Sequence, residues 1–398
     1  MRTYREVFRT PQFTPLFASG ALSVAASTVS GLALGTLVHS TTGSPLLSAL
    51  AMFGPSLAQV VGAATLLSAA DRLRPRVAMT GLALAFAVAA AVQAVPGLPL
   101  WALFTVLAGQ GLISSVGGGV RFGLLHEILT KDGYLLGRSV LNMAVGTLQV
   151  CGWALGGVLV TLVSARGALL VGALLYVAAA TVTRLGLTDR PPRATGRPSI
   201  AATWRVNAAL WASVPRRYVY LALWVPNGLV AGCESLYLSY APGHAGLLFA
   251  CAALGMLAGD TLVGRFLPPW WRERLAAPLR LVLAAPYLLF FLEPGLPVAL
   301  AAVTLASVGF SASLLLQERL MRLTPDELSG QAIGLHSSGM LTLQGVGALL
   351  AGTAAELTSP ALATTAMAAF SVAVTLALAP GLRTGPRDFL TTGETGRP

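Results

Sequence analysis

Leu187 to Arg217 reads LTDRPPRATGRPSIAATWRVNAALWASVPRR, the only long polar interval in an otherwise apolar chain. It carries Arg190, Arg193, Arg197, Arg205, Arg216 and Arg217 against a single acid, Asp189. Pro191, Pro192, Pro198 and Gly196 make its first part a poor helix. Ile200 to Ser213 has the pattern of a short amphipathic one. The sequence on each side divides into six hydrophobic spans. The interval therefore reads as a cytoplasmic hinge, residues 187–217, between an N-terminal six-helix bundle, 1–186, and a C-terminal one, 218–380, with a cytoplasmic tail at 381–398.

Composition sets the class. Charged residues make up 10% of the chain and hydrophobic ones 55%, whereas a typical soluble domain carries about 25% charge. A chain of 398 residues with so few charges cannot clothe a water-facing surface, so its surface faces lipid. The net charge of +11 does not point to nucleic acid, because the basic residues recur in short clusters between apolar runs and form no continuous face. Cys151, Cys233 and Cys251 stand singly in apolar runs without metal-ligand spacing. No metal or cofactor is expected.

A bilayer crossing needs about 20 apolar residues. Met1 to Thr14 is a basic lead-in, and the first apolar run, from about residue 15 to 38, exceeds a signal peptide's apolar core of about 7–15 residues. Further spans follow at 46–70, 77–96, 98–120, 137–163 and 167–187, then at 218–240, 245–264, 275–292, 296–316, 331–354 and 360–380. The span at 275–292 is interrupted by Pro278, Arg280 and Pro286. With the N-terminus inside, only Arg166 of the 26 Lys and Arg residues falls on the outer face. That asymmetry places both termini and the hinge in the cytoplasm and supports twelve crossings.

The halves also resemble each other. A shift of 193 residues sets Gly137 on Gly330, Gly146 on Gly339, Leu148 on Leu341 and Gly152 on Gly345, as parallel repeats of a two-half transporter would. The link between spans 2 and 3 reads Leu67-Ser68-Ala69-Ala70-Asp71-Arg72-Leu73-Arg74-Pro75-Arg76, and an echo, Gly259-Asp260-Thr261-Leu262-Val263-Gly264-Arg265, closes span 8. Span 4 holds Gln110-Gly111, and span 5 holds Gly152-Trp153-Ala154-Leu155-Gly156-Gly157.

On these features the chain resembles the major facilitator superfamily of secondary transporters, whose motifs in those places are G-x-L-A-D-R-x-G-R-R, R-x-x-Q-G and G-P-x-x-G-G. Leu67 and Arg74 replace two glycines of the first motif, Leu107 the arginine of the second, and Trp153 the proline of the third. The opening YREVFRTPQFTPLF is similar to the lead-in of bacterial exporters in this superfamily. The resemblance implies an all-α membrane protein of two pseudo-symmetric six-helix bundles in a bacterial inner (plasma) membrane. It implies a monomer that moves a small molecule by alternating access. Spans 1, 4, 7 and 10 would line the cavity. Asp71, with Arg72 and Arg76, would form a cytoplasmic gate against the start of span 11, echoed by Asp260 and Arg265.

Ionisable residues inside spans are the sharpest candidates, since a central charge costs at least about 2.5–3.5 kcal/mol on insertion scales. Glu234 lies in span 7 within Asn227-Gly228-Leu229-Val230-Ala231-Gly232-Cys233-Glu234. It reads as a proton-coupling carboxylate, as a site for a cationic solute, or as a residue snorkelling outward. His336 is a second candidate, or a packing histidine. For Asp260, Glu318 and Arg319 local salt bridges are expected. Among uncharged residues, Gln110, Asn227 and the helical-spaced Ser19, Ser23, Ser27 and Ser30 are cavity candidates, though serines also bond their own helix. Gly152, Gly156 and Gly157 suit close helix contact. A cavity without buried arginines suits an amphipathic or hydrophobic solute, and the expected function is its proton-coupled efflux. Facilitated uptake and a non-transporting receptor or scaffold on the same fold are the alternatives. No G-x-x-x-x-G-K-[ST], H-E-x-x-H or G-x-S-x-G motif argues for an enzyme.

Overall fold

The computed structural model describes residues 4–70, 73–129, 131–192, 200–266, 269–325 and 328–383, and among them no strand occurs. Helix α1 is Tyr4–Arg9, α2 Phe13–Thr42, α3 Pro45–Ala70, α4 Pro75–Gln93 and α5 Leu100–Ile128. Helix α6 is Lys131–Gly186, α7 Ile200–Ala212, α8 Val214–Ser235, α9 Tyr237–Tyr240 and α10 Ala245–Thr261. Helix α11 is Pro269–Ala284, α12 Leu296–Val308, α13 Ala312–Arg322, α14 Ser329–Leu357 and α15 Pro360–Arg383. Among the described residues, eight helices are long and apolar enough to cross a membrane. Large apolar side chains such as Leu162 (75% exposed), Leu185 (81%) and Leu357 (80%) stand on the surface, where lipid and not water suits them. The chain is an integral membrane protein.

Eight is fewer than the twelve spans read from the sequence, for physical reasons. The spans at 137–163 and 167–187 run together in α6, broken only at Ser164, whose φ is 72°. The span at 218–240 is divided between α8 and α9. Helix α10 and the segment Ala277–Leu292 are apolar but short. In the latter, Pro286 lacks an N–H and crowds the preceding turn, so α11 stops at Ala284 and 285–292 continues as a 3-10 helix.

The contacts group the chain into two compact units, Met1–Pro198 with Ser235–Ala253, and Ser199–Glu234 with Leu254–Pro398. In the first unit α2 lies along α6, α3 along α5 and α4 along α6. Lipid tails are as apolar as leucine, so these helices gain from close approach at small residues more than from burial. A Cβ on Gly111 would fall 2.5 Å from the Pro55 carbonyl oxygen and 2.6 Å from Ala58 Cβ. Val7, Phe13, Leu16, Leu124, Leu125, Leu141 and Leu187 form an apolar cluster near the chain start. Three consecutive residues after α6 are tied back to this unit. Thr188 donates its hydroxyl to Gln12 Oε1 at 3.0 Å, Asp189 pairs with Arg74 at 3.0 Å, and Arg190 pairs with Glu127 at 3.2 Å.

In the second unit α8 meets α14 at glycine: a Cβ on Gly228 would fall 2.5 Å from Leu343 O, and one on Gly232 2.7 Å from Gly347 O. Helix α7 is fixed to α8 by ring stacking, with Trp211 and Trp224 centroids 5.6 Å apart at 6°. Arg216 Nη2 donates to the Ala209 carbonyl of α7 at 3.3 Å.

Candidate functional site

In the second unit a polar cluster forms where α8, α13 and α14 meet. Asn227 Nδ2 donates to Ser313 Oγ at 3.1 Å and to the Leu223 carbonyl at 2.7 Å, with Met340 Sδ at 3.9 Å. Trp224 Nε1 donates to the His336 carbonyl at 3.1 Å, and the Gln317 amide lies 3.3 Å from His336 Nε2. If that amide nitrogen donates, the ring proton sits on Nδ1, which is buried and has no hydrogen-bond partner. Asn227 and His336, read separately in the sequence, thus come to one place, joined by Gln317, which the sequence reading did not single out. The spacing of Gln317 one turn from Ser313 was the available signal.

Glu234 is seven residues from Asn227, which puts it on the same face of α8 about 10.5 Å along the axis. Its Oε1 is buried without a hydrogen-bond partner. It lies one residue before the end of α8, ahead of the break at Leu236, and the division between the two compact units falls directly after it. Helix α8 carries Pro226 in its interior, which has no N–H to give; its own carbonyl accepts from Ser371 Oγ at 3.3 Å.

In the first unit three serines of the α2 stripe bond their own backbone, while Ser30 Oγ is buried without a hydrogen-bond partner among the described residues. Ser19 Oγ donates to Leu16 O at 3.1 Å, Ser23 to Ser19 O at 2.8 Å and Ser27 to Val24 O at 2.9 Å. Gln110 accepts at Oε1 from Gln93 Nε2 at 2.9 Å, an α4 to α5 bridge. Gln93 is 2% exposed; it was read only as part of a span, so this partner was missed. Gly152 and Gly156 lie against Thr28, Val29 and Leu32 of α2, and Gly157 against Gly246 of α10.

Asp71 and Arg72 lie outside the described residues, as does the side chain of Arg265. Arg76 is partly buried, and Asp260 is exposed one residue before the end of α10. Glu318 pairs with Arg322 at 3.9 Å, and Arg319 donates to the Leu382 carbonyl. Among the described residues no three His, Cys, Asp or Glu side chains come together as a metal site would need.

One expectation is overturned. The interior does hold arginines. Arg280 of α11 is 2% exposed, and none of its guanidinium nitrogens has a hydrogen-bond partner among the described residues. Arg121 was placed just past the end of span 4, but α5 runs on to Ile128. Its guanidinium lies against Gly20 of α2, where a Cβ would overlap Nη2 and fall 2.8 Å from Cζ. Hydropathy windows stop at a charge, and only tertiary structure shows that the helix does not.

No protein-family profile matches the chain, and no curated protein matches its sequence. Solved structures do match its fold. A POT family transporter in complex with a thioalcohol-conjugated peptide has a TM-score of 0.74 at 11% identity, covering 94% of this chain and 96% of that one. The nucleoside transporter NupG has a TM-score of 0.75 at 11% identity, covering 93% and 99%. A bacterial homologue of the human lysosomal transporter Spinster, inward-facing and occupied, has a TM-score of 0.71 at 15% identity, covering 98% and 99%. The fold is the transporter fold of the major facilitator type, and at these identities the likeness speaks to the fold alone.

Proposed function

We propose that this chain is a secondary active transporter, driven by protons, that exports a small amphipathic or hydrophobic compound across the plasma membrane by alternating access. The observation that carries the proposal is Glu234, whose carboxylate oxygen is buried without a hydrogen-bond partner on the helix face that bears Asn227. An ionised carboxylate is poorly tolerated in such a place, so the protonated and ionised forms favour different exposures of the site. A proton gradient thereby biases a rocking motion that is otherwise reversible. The likeness to POT, NupG and Spinster transporters over more than nine-tenths of the chain supports the transport reading. Export, rather than uptake, rests on the lead-in similar to exporters, and uptake fits the fold equally. The protein would act as a monomer, with both termini and the hinge in the cytoplasm.

The test is transport into inverted vesicles under an imposed pH gradient, across a panel of amphipathic compounds. Glu234→Gln keeps the shape of the site and removes its proton, so it should abolish gradient-driven accumulation while sparing downhill exchange. Loss of binding confined to cations would instead assign Glu234 to solute recognition. Normal accumulation of every substrate by the mutant would sink both readings.

A further inference from the structure

We propose that the solute carries an anionic group, a carboxylate or phosphate, and that Arg121 binds it; this deepens the transporter reading and rests on it. Arg121 sits in the membrane span Leu100–Leu125. A cation there costs at least about 2.5–3.5 kcal/mol on insertion scales. An arginine that only marks the cytoplasmic side would turn outward and snorkel to the headgroups. This one turns inward and rests on Gly20, a residue with no side chain to obstruct it. Any larger residue at position 20 would displace the guanidinium, so the glycine and the arginine together make the seat.

The surroundings are those of a binding group and not of an ion pair. Phe17, Ala21, Val24, Leu141 and Leu148 line the pocket with Arg121 and Gly20, and none of them accepts a side-chain hydrogen bond. Among the described residues no carboxylate pairs with it, in contrast to Arg74 with Asp189, Arg190 with Glu127 and Arg322 with Glu318. A guanidinium offers five donors in a planar fork that matches a carboxylate or phosphate. The space beside the guanidinium is about 10 Å³, room for one water or one anion oxygen. Phe17, Ala21, Val24 and Leu148 are partly exposed, so one oxygen of an anionic head enters the pocket while the rest of the head and an apolar body lie along its open side.

Its position fits a solute path. Helices α2 and α5 are spans 1 and 4, cavity-lining in the resembled fold. Gly20, Ser23 and Ser27 recur at i, i+3 and i+7, one face of α2. Arg121 therefore stands at the end of the serine stripe. The solute class this defines is a small amphipathic organic anion, which narrows the amphipathic or hydrophobic solute expected from a cavity without buried arginines.

The test needs no knowledge of the natural solute. Ala21→Cys is introduced into a chain whose Cys151, Cys233 and Cys251 are replaced by serine, and the protein is placed in phosphatidylcholine nanodiscs. The thiol is modified with a sulfonate-bearing or a trimethylammonium-bearing methanethiosulfonate, each rate being normalised to a free thiol. The anionic reagent should react faster by about tenfold, as local electrostatic concentration allows. Arg121→Lys should keep that preference, and Arg121→Gln should lose it. Gly20→Ala should lose it too, with the arginine still present. Equal rates, a preference unchanged in Arg121→Gln, or no reaction with either reagent would overturn the proposal. A naphthalene carboxylate should protect the thiol and its amide should not; equal effects, nil included, count against it. Loss of the preference when phosphatidylglycerol is added would assign the guanidinium to a lipid phosphate instead of a solute. Size exclusion shows that each variant is folded. No gradient is involved, so the outcome is separate from that of the Glu234→Gln transport assay.

Discussion

Trp224 and His336 are joined by a hydrogen bond from the indole Nε1–H to the histidine's backbone carbonyl at 3.1 Å. The bond ties α8 to α14 beside the polar cluster, and Trp224 is 8% exposed. A Cβ on Gly339 would fall 2.5 Å from Trp224 Cζ2, so the indole occupies a notch that only glycine leaves open. Trp224→Phe keeps an aromatic ring and removes the donor, at an expected cost of about 0.5–1.5 kcal/mol. Gly339→Ala fills the notch and should cost about 1–3 kcal/mol by overpacking. Both should lower the unfolding temperature of purified protein. A Gly339→Ala variant that melts like wild type would show that the ring is not seated there.

Of the two ion pairs that hold the start of the hinge, the less exposed one should be worth more. Arg74 and Asp189 have side chains 60% and 47% exposed, whereas Arg190 and Glu127 are 26% and 27% exposed. Exposed pairs contribute about 0–1 kcal/mol, so Asp189→Asn should leave the unfolding temperature almost unchanged. Glu127→Gln should lower it more, and the difference should shrink in high salt. A large salt-insensitive effect of Asp189→Asn would contradict this ordering.

Much of the fold was legible because lipid imposes simple rules. Span positions followed from apolar runs and turn residues, and Pro286 marked where the α pattern of α11 gives way. The site was less legible. Gln110 was visible as a polar residue in a span, yet its partner Gln93 looked like any residue near a helix end. The serines of α2 were read as facing the cavity or bonding their own helix, and three of them do the latter. Arg121 was hidden because hydropathy treats charge as a boundary, whereas Arg280, inside the span at 275–292, read only as an interruption of it. Nothing local tells a snorkelling arginine from one seated on a glycine of another helix.

Topology is expected to be cytoplasmic at both ends and at the hinge, because Arg166 is the one basic residue left outside by that arrangement. Single cysteines at Gly196 and Gly393 should be protected from membrane-impermeant reagents in intact cells and react after permeabilisation. Reaction of both in intact cells would reverse the orientation of every span, and reaction of one alone would mean that an odd number of crossings separates the hinge from the C-terminus.

Gly157 of α6 and Gly246 of α10 give the sharpest test of helix contact. A Cβ on Gly157 would lie 2.6 Å from Gly246 Cα, and one on Gly246 2.5 Å from Gly157 Cα. Both obstructions are backbone, which cannot rotate away as a side chain can. One turn earlier on α6, Trp153 stacks on Phe249 with centroids 4.4 Å apart at 15°, so the glycines set the spacing at which those rings meet. Gly157→Ala and Gly246→Ala should each cost about 1–3 kcal/mol by forcing the helices apart. Their costs should not add, because once one methyl has opened the gap the second meets little resistance. Unfolding temperatures of the two single variants and the double variant read this directly. Strict additivity would mean that the two glycines do not touch. A double variant close to the worse single one, with Trp153 fluorescence shifted in all three, would establish the contact.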